Sequence, residues 1–441
     1  MRAFRYFGYR LRASQRNTTR HSSSSSTLTA SASAILLATP LAMAGYYSVT
    51  VTKRPGFESA PDDAASKPHH VLSSRGTTSK FQNPHPSNGD GVGFLIIVSK
   101  FIKLLLKGET LPSPDTTPPT VRVNKPTFLP TRHGSDKLRA TWLGHACYLV
   151  EYPSGLRVLF DPVFEDRCSP FTWLGPKRYT PRPCDIADIP FVDAVVISHS
   201  HYDHLSTGTV AEIRKHHPEA HYFVGLGLEK WFRRAGIDKV TELDWWEDAD
   251  LTLEPQRSGG GGEGEGEGEQ QRAMTARISC LPCQHSSGRT GLDRDSTLWC
   301  SWGVSSAGRS VYFGGDTGYR AVPHVARGVD DWGAEYAHLP VCPQFRQIGD
   351  LRGPFDLGLI PIGAYAPRYV FSPMHANPAD AVEIFRDTRC RNAVGIHWGT
   401  WVLTGEKVLE PPALLREAMK RRGLPETGVF DTCEIGESRE I

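Results

Sequence analysis

The stretch VDAVVISHSHYDHLS, Val192 to Ser206, places His199, His201, Asp203 and His204 within six positions. Imidazole and carboxylate together are the ligand set of zinc and its first-row neighbours. A polar loop has no need of such density, whereas a cation does. The short β-branched run Ala194 to Ile197 reads as a buried strand, so the ligands begin where strand turns into loop. Side chains two apart on an extended segment share a side, so His199 and His201 converge on one point. Asp203 and His204 are adjacent and turn toward a second point. Two metals with two ligands each are under-coordinated, so more His or Asp must arrive from downstream strand ends.

Three downstream stretches supply them. ARISCLPCQHSSG has a strand-like run ending at His285. GRSVYFGGDTGY has the strand Ser310 to Phe313, two glycines, then Asp316. NAVGIHWGTW has the strand Ala393 to Ile396, then His397. Glycine beside such positions lets backbone approach a site closely. Other signals are weaker. Cys280 and Cys283 form a lone C-x-x-C, which reads as strand residues before His285. Nine cysteines, an odd number without spacing, imply no disulfide framework. There is no G-x-S-x-G element. Ser258 to Gln271, SGGGGEGEGEGEQQ, lacks the Lys-Ser/Thr of a phosphate loop and reads as a flexible acidic insertion.

H-x-H-x-D-H, a separate His, G-D-T-G and a late I-H-W-G resemble the metallo-β-lactamase superfamily. TWLGHACYLVE, FDPVFEDRCSP, ISHSHYDHLS, GPFDLGLIPIGAYAPR, MHANPADAV, IHWGTW and LEPP narrow the resemblance. In that order they look like the N-acylphosphatidylethanolamine-hydrolysing phospholipase D family, over about Asp136 to Arg439. The resemblance implies an α/β fold, the four-layer αββα sandwich, with the site at one edge of two sheets. It implies two zinc ions, one held by His199, His201 and His285, the other by Asp203, His204 and His397, with catalytic Asp316 bridging both. His375 in SPMHANP aligns with a family histidine near the substrate phosphate; it reads equally as a loop histidine capping the helix that starts near Pro378. The implied reaction is attack of a metal-bound hydroxide on phosphorus, releasing phosphatidic acid and an N-acylethanolamine. Two other readings remain open from sequence: a lactonase, thioesterase or phosphodiesterase of the same fold on soluble substrates, and a membrane-tethered binding protein that kept the fold without activity.

The elements that would position these residues follow Asp136. Short apolar strands alternate with helical patterns at Val210 to His217, Leu228 to Ala235, Ala379 to Arg386 and Pro412 to Arg422, and residues 136–441 are assigned to the catalytic domain. Val322 to Arg346 reads as an insertion in the family pattern. Ahead of this domain, Met1 to Gly56 carries eight Lys/Arg and no acid, so the remainder bears about −6 of the formal +2. A mildly acidic catalytic region is a poor nucleic-acid binder. Residues 1–26, with six arginines and a serine run, have the composition of a mitochondrial transit peptide, or of a disordered basic tail. Thr27 to Val51 is uncharged and long enough to span a bilayer, which predicts an inner-membrane span, or else a cleaved or interfacial segment. Residues 53–135 read as a linker. Within it, Phe94 to Lys107 places Lys100, Lys103 and Lys107 on one face of an apolar helix, the pattern of a membrane-surface helix or of a core helix. The expected partners are a phospholipid and a membrane, without nucleic acid.

Overall fold

Runs such as Ala194–Ile197 are apolar at every position, and a strand of that kind is stable only when both of its faces are covered. The computed structural model, which describes residues 47–89, 111–256, 272–326 and 329–441, supplies that cover. One sheet has eight strands in the order β1 (Tyr47–Lys53), β10 (Asp248–Pro255), β11 (Met274–Leu281), β12 (Ser301–Ser306), β13 (Arg309–Phe313), β14 (Leu357–Pro361), β15 (Asn392–Ile396) and β16 (Phe430–Asp431). The other has seven, in the order β17 (Ser438–Glu440), β4 (Arg139–Gly144), β5 (Cys147–Glu151), β6 (Arg157–Phe160), β7 (Ala194–Ile197), β8 (His221–Gly225) and β9 (Val240–Leu243). A separate hairpin pairs β2 (His70–Leu72) with β3 (Thr78–Phe81).

Side-chain alternation sorts the core. In β5, Tyr148 and Val150 face the core shared with the other sheet, while Cys147 and Leu149 face outward. In β7, Ala194 and Val196 point inward, and Val195 and Ile197 point outward. The outward set packs on α1 (Thr207–His216) and α2 (Glu229–Arg234) through Val210, Ile213 and Phe232. Behind the eight-stranded sheet lie α3 (Gln344–Leu351), α5 (Pro378–Asp387) and α6 (Glu410–Arg421), with Phe345, Ile384 and Leu415 in the core. The short α4 (Arg368–Phe371) precedes α5. This is the four-layer αββα sandwich that the resemblance implies. Each sheet is antiparallel in one half and parallel in the other: β6 to β9 and β13 to β16 run parallel. The carboxyl ends of parallel strands are where open α/β sheets leave a crevice for chemistry.

Two expectations about the front of the chain are corrected. Tyr47 to Val51, the tail of the expected span, is strand: β1 pairs antiparallel with β10 from Tyr47 opposite Pro255 to Lys53 opposite Ala249. Its alternating Val, Thr and Tyr favour a half-buried strand. Among the described residues no helix is long and apolar enough to cross a membrane. Nor is the expected 53–135 linker free of the domain. Ala64, Phe81 and Val121 are buried in its core, and Asp244 accepts from Lys67 Nζ at 2.8 Å, His69 Nε2 at 2.7 Å and His70 Nε2 at 2.9 Å. Apolar periodicity is lacking there because single side chains, spaced irregularly, do the packing. The predicted transit peptide 1–26, the helix 94–107 and the acidic insertion 258–271 lie outside the described residues.

The 322–346 segment has a clear structural part. Asp331 accepts from Arg368 Nε at 2.7 Å, and Arg368 Nη2 lies 2.7 Å from Asp380. The Arg320 guanidinium sits 3.8 Å over the Trp332 ring, whose Nε1 donates to Asp380 at 3.0 Å. The segment thus joins the loop after Asp316 to α4 and α5.

Candidate metal centre

β7 ends at Ile197, and the chain leaves it under tight control. Ser198 N donates to Asp161 Oδ1 at 2.7 Å and Ser198 Oγ to Asp161 Oδ2 at 2.5 Å. His199 Nδ1 donates to Ser198 Oγ at 2.9 Å, which leaves its Nε2 lone pair facing inward. A turn follows, with His204 N and Leu205 N both donating to His201 O. Ser206 then caps α1 by accepting from Thr209 N. Strand end, turn and cap together explain why four polar residues fit in six positions.

Nitrogens of His199, His201 and His285 converge: His201 Nδ1 is 2.8 Å from His199 Nε2 and 3.3 Å from His285 Nε2. His285 Nδ1 donates to Met374 O at 2.9 Å, which again turns Nε2 inward. A second set lies beside the first. Asp203 Oδ2 is 3.4 Å from both His204 Nε2 and His397 Nε2. Asp316 stands between the sets. Its Oδ1 is 3.2 Å from His204 Nε2 and 3.0 Å from His397 Nε2, and its Oδ2 is 3.7 Å from His285 Nε2 and 3.9 Å from His199 Nε2. All seven residues expected from sequence are therefore brought together, in the two groups that the resemblance implies. Asp316 reaches this place because Gly315 adopts φ +57°, where a Cβ would stand 2.6 Å from Ser198 Cβ.

His375 also arrives. Its Nδ1 is 3.9 Å from Asp316 Oδ2, and its ring centroid is 5.1 Å from that of His285. It does not cap α5; that role belongs to Asn377, whose side chain accepts from Asp380 N. Two residues of the site do not stand out in the sequence. Asp161 accepts from His204 Nδ1 at 2.6 Å, and His145 Nε2 donates to Asp203 Oδ2 at 3.1 Å. Each follows an apolar strand, β6 or β4, so the pattern that finds Asp316 applies to them as well.

Electrostatics favour a divalent cation here. Burial pushes His199 and His285 well down and His145 down to about 3, so these imidazoles are neutral, the form that ligates. Burial opposes charge on Asp203 and Asp316, yet the surrounding imidazoles, His204 first, hold both well below the usual carboxylate range. Against burial, Asp316 lifts His397 to about 9 and, with Asp203, raises His204. Protons thus gather on two histidines where the carboxylate charge is densest. Buried His204 Nε2, His397 Nε2, Asp316 Oδ1 and His375 Nδ1 have no hydrogen-bond partner, although they point into one small space. Buried polar atoms are rarely left so. The donor set fits a divalent metal.

A cavity of about 350 Å³ opens on this centre, lined by His201, His285, Met374, His375, Arg289 and Gly291 among others. A second, of about 460 Å³, shares Tyr202 and Arg289 with it and includes Glu165, Pro170 and Phe171. Arg289 is fixed between them: Nη1 donates to Ser200 O at 2.8 Å and Leu205 O at 2.7 Å, and the guanidinium stacks 4.0 Å over Tyr202. Phe171, Trp173 and Leu174 beside the second cavity, and Leu292 beside the first, are exposed.

The sequence model of the Beta-lactamase superfamily domain matches residues 156–398. Fold and donor cluster together define a metal-dependent hydrolase of the metallo-β-lactamase fold. The chain is 37% identical over 368 residues, 81% of its own length and 91% of the relative's, to N-acyl-phosphatidylethanolamine-hydrolyzing phospholipase D 1 of Caenorhabditis elegans. To the mitochondrial N-acyl-phosphatidylethanolamine-hydrolyzing phospholipase D of Saccharomyces cerevisiae it is 34% identical over 273 residues, 62% of this chain and 49% of that one. Among solved structures, Igni18, a metallo hydrolase from Ignicoccus hospitalis, matches 69% of this chain and 98% of its own with a TM-score of 0.43 and 19% identity. The chain belongs to the N-acylphosphatidylethanolamine-hydrolysing phospholipase D family.

Proposed function

We propose that this protein hydrolyses N-acylphosphatidylethanolamine to phosphatidic acid and N-acylethanolamine with two zinc ions as cofactor. The observation that carries the reading is the pair of donor groups facing opposite oxygens of Asp316, one of which lines a cavity through His201 and His285, in a chain of this family. His199, His201 and His285 would hold one ion, Asp203, His204 and His397 the other, and Asp316 both. Bound there, the ions supply an acidified water near neutral pH and positive charge for phosphoryl oxygens. Asp316 would orient that water and accept its proton. His375, on the cavity wall, donates to a phosphoryl oxygen. Attack of the water oxygen at phosphorus would form one P–O bond and break the P–O bond to the N-acylethanolamine oxygen, which would leave with the proton that Asp316 had accepted.

Two further parts of the reading concern place. The exposed Phe171, Trp173, Leu174 and Leu292 around the cavities suit a mouth turned to a bilayer. The acid-free, arginine-rich leader and the name of the yeast relative support a mitochondrial location.

The reaction is tested in oxygen-18 water. Label is expected in phosphatidic acid and absent from N-acylethanolamine. Label in a free fatty acid means attack at a carbonyl and replaces this reading with an esterase or amidase. Failure to turn over any phospholipid, with soluble esters hydrolysed, replaces it with the soluble-substrate hydrolase.

A further inference from the structure

Ahead of the region matched by the superfamily model, the chain passes directly behind the metal centre. β3 ends at Phe81, which is buried and whose N donates to Asp295 O at 2.8 Å. Two residues on, Asn83 meets His285. Its Nδ2 donates to His285 O at 2.7 Å, and its Oδ1 accepts from His285 N at 3.1 Å. One planar amide thus satisfies both main-chain groups of a single residue, as a neighbouring strand would. Only Asn and Gln carry a donor and an acceptor in that arrangement. Held this way, His285 has one ring nitrogen on Met374 O and the other toward His201 and Asp316.

The same stretch grips the adjoining loops. Ser87 Oγ donates to Gln284 Oε1 at 2.6 Å, and Gln284 Nε2 donates to Pro373 O at 2.8 Å, two residues before His375. Ala321 N, five residues after Asp316, donates to Ser87 O at 2.6 Å. Residues 81–87 therefore touch the chain on both sides of His285 and after Asp316, and reach Pro373 through Gln284.

We propose that Asn83 is a positioning residue of the metal centre, setting His285 through its main chain. The inference rests on the reading of His285 as a metal ligand. A residue ahead of the stretch matched by the superfamily model, 156–398, then contributes to metal affinity without touching the metal.

The test uses the full chain and cobalt(II) as probe, so that binding and coordination are read without turnover. Asn83→Asp keeps the shape and the acceptor and removes the donor; Asn83→Ala removes both. Gln82→Ala, a neighbour whose amide donates to Pro68 O, is the control. Competition with a chelator should show one of two cobalt equivalents weakened about 10- to 100-fold in both Asn83 variants, the range typical of groups that orient a ligand. The visible cobalt spectrum should change with it, and the control should match wild type. In phospholipid hydrolysis kcat should fall with KM within about twofold. Wild-type affinities and spectrum in Asn83→Asp overturn the proposal, as does a wild-type protein that binds no cobalt. A wild type that binds two equivalents but cleaves no phospholipid overturns only the lipid reading, and the Asn83 effect on cobalt still stands or falls by itself.

Discussion

Asp161 lies behind the donor cluster, and its carboxylate is spent on Ser198 N, Ser198 Oγ and His204 Nδ1. A carboxylate in that position fixes the tautomer of the imidazole and raises its basicity as a ligand. Asp161→Asn keeps the shape but can present an N–H to His204. Metal affinity should fall about 10- to 100-fold, measured by chelator competition, with the fold retained by circular dichroism. Unchanged affinity removes Asp161 from the support of the site. The seven expected donors are legible in the sequence because they gather at the ends of apolar strands, and so many imidazoles and carboxylates at strand ends suit a bound cation. Asp161 and His145 obey the same pattern but do not stand out, because a single Asp or His after a strand is common. Asn83 has no sequence signal at all: its role depends on which residue it meets some two hundred positions later, and nothing local encodes that.

Elements account for the rest of what can be read. β7, β13 and β15 lie within a residue of their expected places, because short apolar runs of three or four residues between polar flanks have one stable use. Helix ends differ by up to three residues: α1 begins at Thr207, not Val210, since Ser206 supplies the cap. The strand before His285 stops at Leu281, and Gln284 pairs with Gly318 as an isolated bridge. The strand pair β8–β9 gives a pH prediction. His221, at the head of β8, shares a hydrogen bond of 2.8 Å with Thr241, and burial, aided by Lys239, pushes it down to about 4. An unfolded chain titrates near 6.5. Between pH 6.5 and about 4 the unfolded chain therefore holds the extra proton, and stability falls as pH drops through that window. The loss from this group is at most about 3 kcal/mol. His221→Gln should show a shallower decline of Tm between pH 6.5 and 4.5; an identical decline rejects the assignment.

At the scale of the whole molecule, the exposed apolar side chains are not spread evenly. Phe171, Trp173 and Leu174 follow one another in the loop beside the second cavity, and Leu292 stands almost fully exposed beside the first. Phe171→Ser with Trp173→Ser should weaken binding to phospholipid vesicles by about tenfold or more, on the order of the burial energy of one aromatic side chain. Hydrolysis of a short-chain, detergent-dispersed substrate should be unchanged. Equal vesicle binding by the variant assigns the bilayer contact to another part of the chain. Sequence alone reads a membrane partner from the front of the chain. It misses this loop because SPFTWLGP lacks periodicity, and exposure becomes visible only once the fold has placed it.

The joint between β10 and β11 has a use of its own. The two strands pair antiparallel, with Leu253 opposite Met274. β11 then runs eight residues, roughly 26 Å at strand rise, before the chain turns toward His285. A segment spliced between the two strands enters at the Met274 end of β11, a full strand length from its Leu281 end. The joint is therefore a port for protein engineering. A fluorescent reporter or an affinity module can enter there.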